Sequence, residues 1–287
     1  AEIKRRVEEG RGLTRPEFSV LVAYAKLALK SDLASTELAD DPWFANTLAE
    51  YFPAEVREQY GDDLHAHPLR QEIVVNAVVN SMVNRGGITF AYRAADETGA
   101  TSEEIARAYV AAREIFDLRG FVIEIEATDN VVSTSTQTEL YLGFRRLLDR
   151  ATRWVVQHRP DRIDIGEEIS RFTGPVAQFA TRIGELQQGV ERERFAERVS
   201  EFEAAGVPRA LALRGAGLLE LMPLLDIIER AGNEGWDLEE FAGVYYSLSA
   251  RVSFDDMLTR VTALPQDDRW GSMARAAMRD DLYAVMG

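Results

Sequence analysis

The chain has 287 residues, 46% hydrophobic and 28% charged, with no cysteine and a net charge of −15. Such a chain is long enough to bury a sizeable core, and the lack of cysteine excludes disulfides, thiolate nucleophiles and zinc–thiolate sites. The acidic balance argues against nucleic acid or an anionic membrane as partner, and no stretch approaches the ~20 apolar residues of a membrane-spanning helix.

Helical periodicity dominates. Thr14-Arg15-Pro16-Glu17 has capping-box spacing, with proline in the first turn, where its missing N–H costs nothing. Phe18, Leu21, Val22, Ala25 and Leu29 then form an apolar stripe, which predicts a helix over residues 14–31. Asp41-Pro42 starts a shorter helix that Tyr51-Phe52-Pro53 ends, and His67-Pro68 opens a third. The body of the third, residues 73–83, is valine-rich like a strand. Its length and the closing Asn84-Arg85-Gly86-Gly87 favour a helix with a glycine C-cap. Thr101-Ser102-Glu103-Glu104 is a second capping box, followed by Ile105, Ala108, Tyr109, Ala112, Ile115 and Phe116 at helical spacing. Residues 121–126 alternate weakly and are the best strand candidate, although a lone strand has no pairing partner.

Residues 134–158 read as one long helix, with Leu140, Phe144, Leu147, Leu148, Ala151, Trp154 and Val155 on one face and Pro160 as its stop. Residues 167–205 read as helix with a kink at Gly174-Pro175, and the charged segment 191–203 as a solvated helical face. Gly206-Val207-Pro208 is a connector, residues 218–230 an apolar helix, and residues 232–235 a turn. Asp237 and Ser253 cap two further helices, and residues 268–286 form the last. The expected fold class is all-α, a multi-helix globular chain with at most one marginal short strand. A soft boundary at residues 159–166 separates a helical region, 1–160, from a helical bundle, 161–287. No fixed-period repeat supports a solenoid.

The candidate chemistry is sparse. Gly215-Ala216-Gly217 starts like a dinucleotide fingerprint, but Glu220 replaces the third glycine and no strand-like run precedes it, so a helix start is the better reading. His65 and His67, with Asp62 and Asp63, make a weak metal cluster in what reads as a hydrophilic loop. His158 sits alone at a helix end, where it suits the dipole. The pairs Asp40-Asp41, Glu167-Glu168, Asp255-Asp256 and Asp280-Asp281 fall near helix ends. Residues 126–136 combine acids, an amide and hydroxyls, which suits a ligand loop but equally a turn with an N-cap. Arg145, Arg146, Arg150 and Arg153 lie near Glu139 and Asp149, where ion pairs are the default. Lysine occurs only at 4, 26 and 30, which leaves few candidates for lysine catalysis. From the residues alone no catalytic site, cofactor site or metal site emerges.

Several blocks in order resemble the C-terminal region of the large NAD-specific glutamate dehydrogenases of bacteria. They include residues 12–17 running into Val20-Leu21-Val22-Ala23-Tyr24-Ala25-Lys26-Leu27, then Tyr51-Phe52-Pro53, His67-Pro68-Leu69-Arg70-Gln71-Glu72-Ile73 and residues 83–90. Glu97-Thr98-Gly99-Ala100, residues 106–116, Ile125-Glu126-Ala127-Thr128-Asp129-Asn130 and residues 147–154 complete the set, which spans 12–154; beyond 160 the likeness is looser. The arginine bias and alanine content resemble actinobacterial members. The resemblance implies a helical, non-catalytic structural or regulatory segment, cytoplasmic, whose parent oxidises L-glutamate with NAD and forms homo-oligomers, tetramers in the family pattern. It implies that NAD is bound by an upstream catalytic domain of the same polypeptide, and that this chain binds no cofactor of its own. It also favours helix at 121–125. Motif density then makes Tyr24, Lys26 and Arg85 candidates for docking onto that upstream domain. The chain begins Ala1-Glu2-Ile3 without methionine and is expected to be a piece of a longer product. The competing readings are a stand-alone enzyme with its site at residues 126–136, and a helical interaction module serving another partner.

Overall fold

The computed structural model describes residues 2–265 and 268–286, apart from the side chains of residues 2, 3, 7, 62 and 65. Seventeen α-helices and no strand occur among the described residues. They are α1 (Glu2–Glu8), α2 (Arg15–Leu33), α3 (Ala45–Glu50), α4 (Ala54–Tyr60), α5 (Arg70–Gly86), α6 (Phe90–Thr98), α7 (Ser102–Ile115), α8 (Leu118–Glu126) and α9 (Thr134–His158). Then follow α10 (Ile165–Ala180), α11 (Ile183–Leu186), α12 (Gly189–Ala204), α13 (Arg209–Gly217), α14 (Leu224–Glu234), α15 (Leu238–Val252), α16 (Phe254–Thr262) and α17 (Arg269–Met286). The helices form two compact units. One holds the residues up to Ala95 with Ala100–Arg107, the other Asp96–Gly99 with the residues from Ala108 onward. The interruption at Arg159-Pro160-Asp161 lies inside the second unit.

In the first unit, α2 packs on α5. Seven apolar side chains of α5, from Ile73 to Val83, are buried, five of them valine. Valine is an indifferent helix former because its χ1 is restricted. Burial over so broad a face is what holds the segment helical. Gly87 ends the helix at φ +103°, a conformation open to glycine but not to residues with a Cβ. Gln71 Nε2 donates to the carbonyls of Leu33 and Thr36, satisfying the C-terminal end of α2. Asp41 is buried and does two jobs. Its Oδ1 accepts from Trp43 N–H at 2.9 Å, and its Oδ2 pairs with Arg107 at 2.5 Å. The capping box at Thr101 is complete, since Glu104 accepts from Thr101 N–H and Thr101 Oγ1 accepts from Glu104 N–H.

The second unit is built along α9, whose buried residues include the expected apolar face from Leu140 to Val155. Ser133 opens α9 by accepting from Thr136 N–H. Toward its C-terminal end, α9 is tied to Glu97 and to three further helices. Arg153, 3% exposed, pairs with Glu97 at 2.6 Å, Asp149 at 3.3 Å and Asp280 of α17 at 3.9 Å. Trp154 Nε1 donates to Asp226 of α14 at 2.7 Å. Arg159, just past the helix, pairs with Glu168 of α10 at 2.5 Å and Glu229 of α14 at 3.0 Å.

Residues 121–126 form a helix, as the family likeness implies and against the weak alternation: α8 covers them, opened by Asp117, whose carboxylate accepts from Gly120 N–H. Two expectations are corrected. Residues 167–205 are not one kinked helix. Pro175 lies inside an unbroken α10, and the breaks fall at Thr181–Arg182 and at Gln187–Gln188, where the backbone is extended. The chain turns there to lay α11 against α12, α13 and α15. The second correction concerns residues 218–230. Residues 219–221 form a 3-10 turn and α14 starts at Leu224, while the separate helix α13 precedes them.

Removing one partner of a buried ion network leaves the others charged and dry. Arg153→Ala should therefore lower the unfolding free energy by about 3–5 kcal/mol, and adding Glu97→Gln should recover part of that loss. Denaturant unfolding of the two variants measures both; a cost within experimental error of zero would show that the network does not hold α9 in place.

Candidate functional site

The residues singled out in the sequence go mostly to structural tasks. Gly215 and Gly217 lie in α13, at its C-terminal end, not at the start of a helix. A Cβ on Gly217 would stand 2.5 Å from Ile183 Cγ2, so this glycine serves a close approach of α13 to α11. Phosphate cradles need free N–H groups at a helix N-terminus, whereas a C-terminal end presents carbonyls and the negative pole. Gly215-Ala216-Gly217 is therefore not a phosphate cradle.

His67 Nδ1 accepts from Leu69 N–H at 3.2 Å, and its ring stands edge-on to Phe52, which fixes the turn before α5. The side chains of Asp62 and His65 lie outside the described residues. Among the described residues no group of three or more His, Asp or Glu is placed to hold a metal ion. His158 stacks on the Trp154 indole with centroids 4.0 Å apart, and its Nδ1 lies 2.8 Å from the Trp154 carbonyl. The segment 126–136 is a turn that closes on itself. Thr128 Oγ1 donates to Ile125 O, Gln137 Nε2 donates to Thr128 Oγ1 and Asp129 Oδ1, and Asn130 takes φ +66°.

Tyr24 and Lys26 share α2 but not a face, because residues two apart on a helix do not point the same way. Tyr24 is 68% exposed and lies on a stripe with Val20 and Leu27, both exposed. Lys26 and, on α5, Arg85 are half-buried, and Arg85 is engaged by other groups.

What sequence reasoning missed is a cavity of about 630 Å³ inside the second unit, lined from α9, α12, α13, α15, α16, α17 and the turn at Leu219–Leu221. Five carboxylates line it, Glu191, Glu197 and Glu201 of α12, Glu220 of the turn and Asp255 of α16, together with Arg146 and Arg150 of α9 and Arg194 and Arg198 of α12. Burial, reinforced by Asp255 and Glu191, pushes the Glu220 carboxyl up to about 8, against the pull of Arg150 and Arg198. Burial and Glu191 push Asp255 up as well, against Arg194 and Arg150. The phenols of Tyr245, Tyr246 and Tyr283 line the same space, all raised by burial. The one signal in the sequence was Glu220, a single acid within the apolar run 218–225.

A family model described as glutamate dehydrogenase, C-terminal, matches residues 10–287. The chain belongs to that family. Its glutamate dehydrogenase relatives include the NAD-specific glutamate dehydrogenase of Mycobacterium tuberculosis, 40% identical over 285 residues, 99% of this chain. Those of Pseudomonas aeruginosa and Halomonas elongata are each 36% identical over 281 residues, 98% of the chain. The chain spans 17% of the length of each of these relatives. The described helices are none of them long and apolar enough to cross a membrane.

Glu220 makes the stability of this glutamate dehydrogenase segment depend on pH. Its folded-state pKa lies above the unfolded value, so its contribution is fully present below the ordinary carboxylate range and is lost as the pH rises through about 8. Asp255, shifted the same way, adds to the loss, while Arg150 and Arg198 oppose it. Glu220→Gln, neutral at every pH, should gain stability over the parent chain progressively from mildly acidic to mildly alkaline pH. Parallel pH–stability profiles for the two proteins would contradict the placement of Glu220.

Proposed function

We propose that this chain is the non-catalytic C-terminal structural segment of an NAD-dependent glutamate dehydrogenase. In the whole enzyme, L-glutamate, NAD and water give 2-oxoglutarate, ammonium and NADH. Hydride transfer and NAD binding belong to the remainder of the polypeptide, and this segment supports its assembly, in the cytoplasm and within a homo-oligomer. The observation that carries the reading is the use made of the polar residues in the resembling blocks. Asp149 and Arg153 form a buried ion network with Glu97, Thr128 and Asp129 close a turn, and His67 and Gln71 satisfy helix ends. Side chains occupied in this way hold a scaffold together and are not presented to a substrate.

The docking face assigned to the remainder of the polypeptide is the outer side of α2. Val20, Tyr24 and Leu27 leave an apolar stripe open beside the face that carries buried Leu29 and Leu33. The matched region is 17% of the relatives' length, so a far larger body of the same polypeptide stands ready as its partner. Lys26 and Arg85 are proposed to contribute from their half-buried positions.

The test uses the longer enzyme produced as two pieces, the upstream remainder and this chain. Tyr24→Ser with Leu27→Asp should weaken their association at least about tenfold, the scale of one lost interface anchor, with the melting temperature of this chain unchanged. In the intact enzyme, Arg85→Ala should lower assembly or turnover and leave NAD affinity alone. Undiminished association of the double variant would remove α2 from the interface. A stable complex with an unrelated protein in its place would favour the reading as an independent interaction module.

A further inference from the structure

The outer face of α15 carries features that the second unit does not use. The helix buries Ala242, Tyr245, Tyr246 and Ser249. By helical geometry, the opposite pole is formed by Glu240, Val244, Ser247 and Arg251, with Gly243 on one flank and Leu248 on the other. Val244 is 57% exposed and Leu248 45%.

Gly243 is the first sign of a partner. It stands inside α15 without a positive φ, and a Cβ on it would meet nothing within 4 Å. Neither the backbone conformation nor a close approach within the chain calls for glycine there, although glycine weakens a helix interior more than any residue but proline. Gly184 and Gly217 show the ordinary case, since a Cβ on either would run into Phe195 or Ile183. With Ser247 one turn on, Gly243 leaves a notch beside the apolar ridge of Val244 and Leu248. A second helix could approach closely along such a notch.

Charge is the second sign, and it says which helix. Glu240 lies in the first turn and Arg251 in the last, both exposed. Among the described residues neither side chain enters an ion pair or hydrogen bond, whereas neighbouring Glu239 pairs with Arg182 and accepts from Gln178. An acid at the start and a base at the end suit the helix dipole. The same order makes the face complementary to itself when inverted. Two copies of α15 running antiparallel about a two-fold axis midway between Val244 and Leu248 bring Val244 level with Leu248 of the second copy. Glu240 then falls within one residue's rise of Arg251 of the second copy, twice by symmetry. Gly243 and Ser247 of both copies share one flank, where the backbones come closest. A parallel pair would instead set like charges against each other.

We infer that the outer face of α15 is a contact between two copies of this chain, an antiparallel helix pair closed by two Glu240–Arg251 ion pairs. It gives a contact to the homo-oligomer proposed above and rests on that part of the reading; the α2 docking face is independent of it. The contact is one helix wide, which places it among the small, weak interfaces.

The experiment is sedimentation velocity of the full chain over a concentration series, repeated on charge-swapped variants. The parent chain should pass from monomer to dimer with rising concentration. Glu240→Arg alone, or Arg251→Glu alone, sets like charges opposite each other twice and should weaken the dimer at least about tenfold. The two swaps together should restore it, an outcome that only pairing of the face with itself produces. Gly243→Leu fills the notch and should weaken the dimer at least about tenfold, the scale of one lost interface anchor, without lowering the melting temperature of the dilute, monomeric chain. A glycine needed by the chain's own fold would lower that temperature. In the full-length enzyme, either single swap should give a smaller assembly and the double swap the original one. A chain that stays monomeric up to millimolar concentration would overturn the inference. So would a dimer indifferent to the single swaps, or one lost in the single and double swaps alike. A full-length homo-oligomer unmoved by every swap would overturn the α15 contact and leave the homo-oligomer standing, whereas a monomeric full-length enzyme would overturn both.

Discussion

Arg153 is a guanidinium housed at 3% exposure on the apolar face of the longest helix, and the second unit is arranged around that fact. A cation in such a place is tolerated only with its charge met by nearby carboxylates. Glu97 and Asp280 come to it from other parts of the chain, and Asp149 from one turn back on α9. The next contacts run on in register: Trp154 to Asp226, Gln157 to Asp280, Arg159 to Glu168 and Glu229. The last two turns of α9 thus set where α10, α14 and α17 sit. Where these helices sit in turn shapes the cavity, whose wall includes Arg150, Pro223 and Tyr283.

The same arrangement accounts for much of what looked chemical in the sequence. Histidines, paired acids and an arginine row are the usual raw material of active sites. Here His158 lies flat on Trp154, the Asp40–Asp41 pair faces Arg70 and Arg107, and Asp164 caps α10 through Glu167 N–H. Each of these is a helix end or a helix contact supplied with its complementary charge. The segment is acidic overall, yet nearly all its deep acids are matched. Glu191, Glu220 and Asp255 share their cavity with Arg146, Arg150, Arg194 and Arg198.

How much could be read in advance depended on whether the cause was local. The capping boxes at Thr14 and Thr101, the stop at Gly87 and the face of α9 depend on residues a few positions apart, and the periodicity showed them. The valines of α5 read as helix because length and a glycine stop outweighed β propensity. At 121–126 the weak alternation pointed one way and the family likeness the other, and the helix follows the likeness. The break before α11 falls at Arg182, which is no breaker, whereas the one after it had a local sign in Gly189, at φ +55° directly after Gln188; the fold bends there so that Gly184 and Gly217 meet their neighbours. Pro175, a nominal breaker, sits within α10 without ending it. The cavity was hidden for the same reason: its acids come from helices distant in sequence, and each in isolation reads as a cap or a solvated face. Only Glu220, alone among leucines, carried a local sign.

In the role proposed for this chain, hydride transfer lies outside it. The direct measurement is NADH formation from L-glutamate and NAD by this chain alone, beside the full-length enzyme under identical conditions. The account predicts NADH from the full-length enzyme and none from the chain. Glutamate-dependent NADH formation by the chain alone would place hydride-transfer residues within these helices and contradict it.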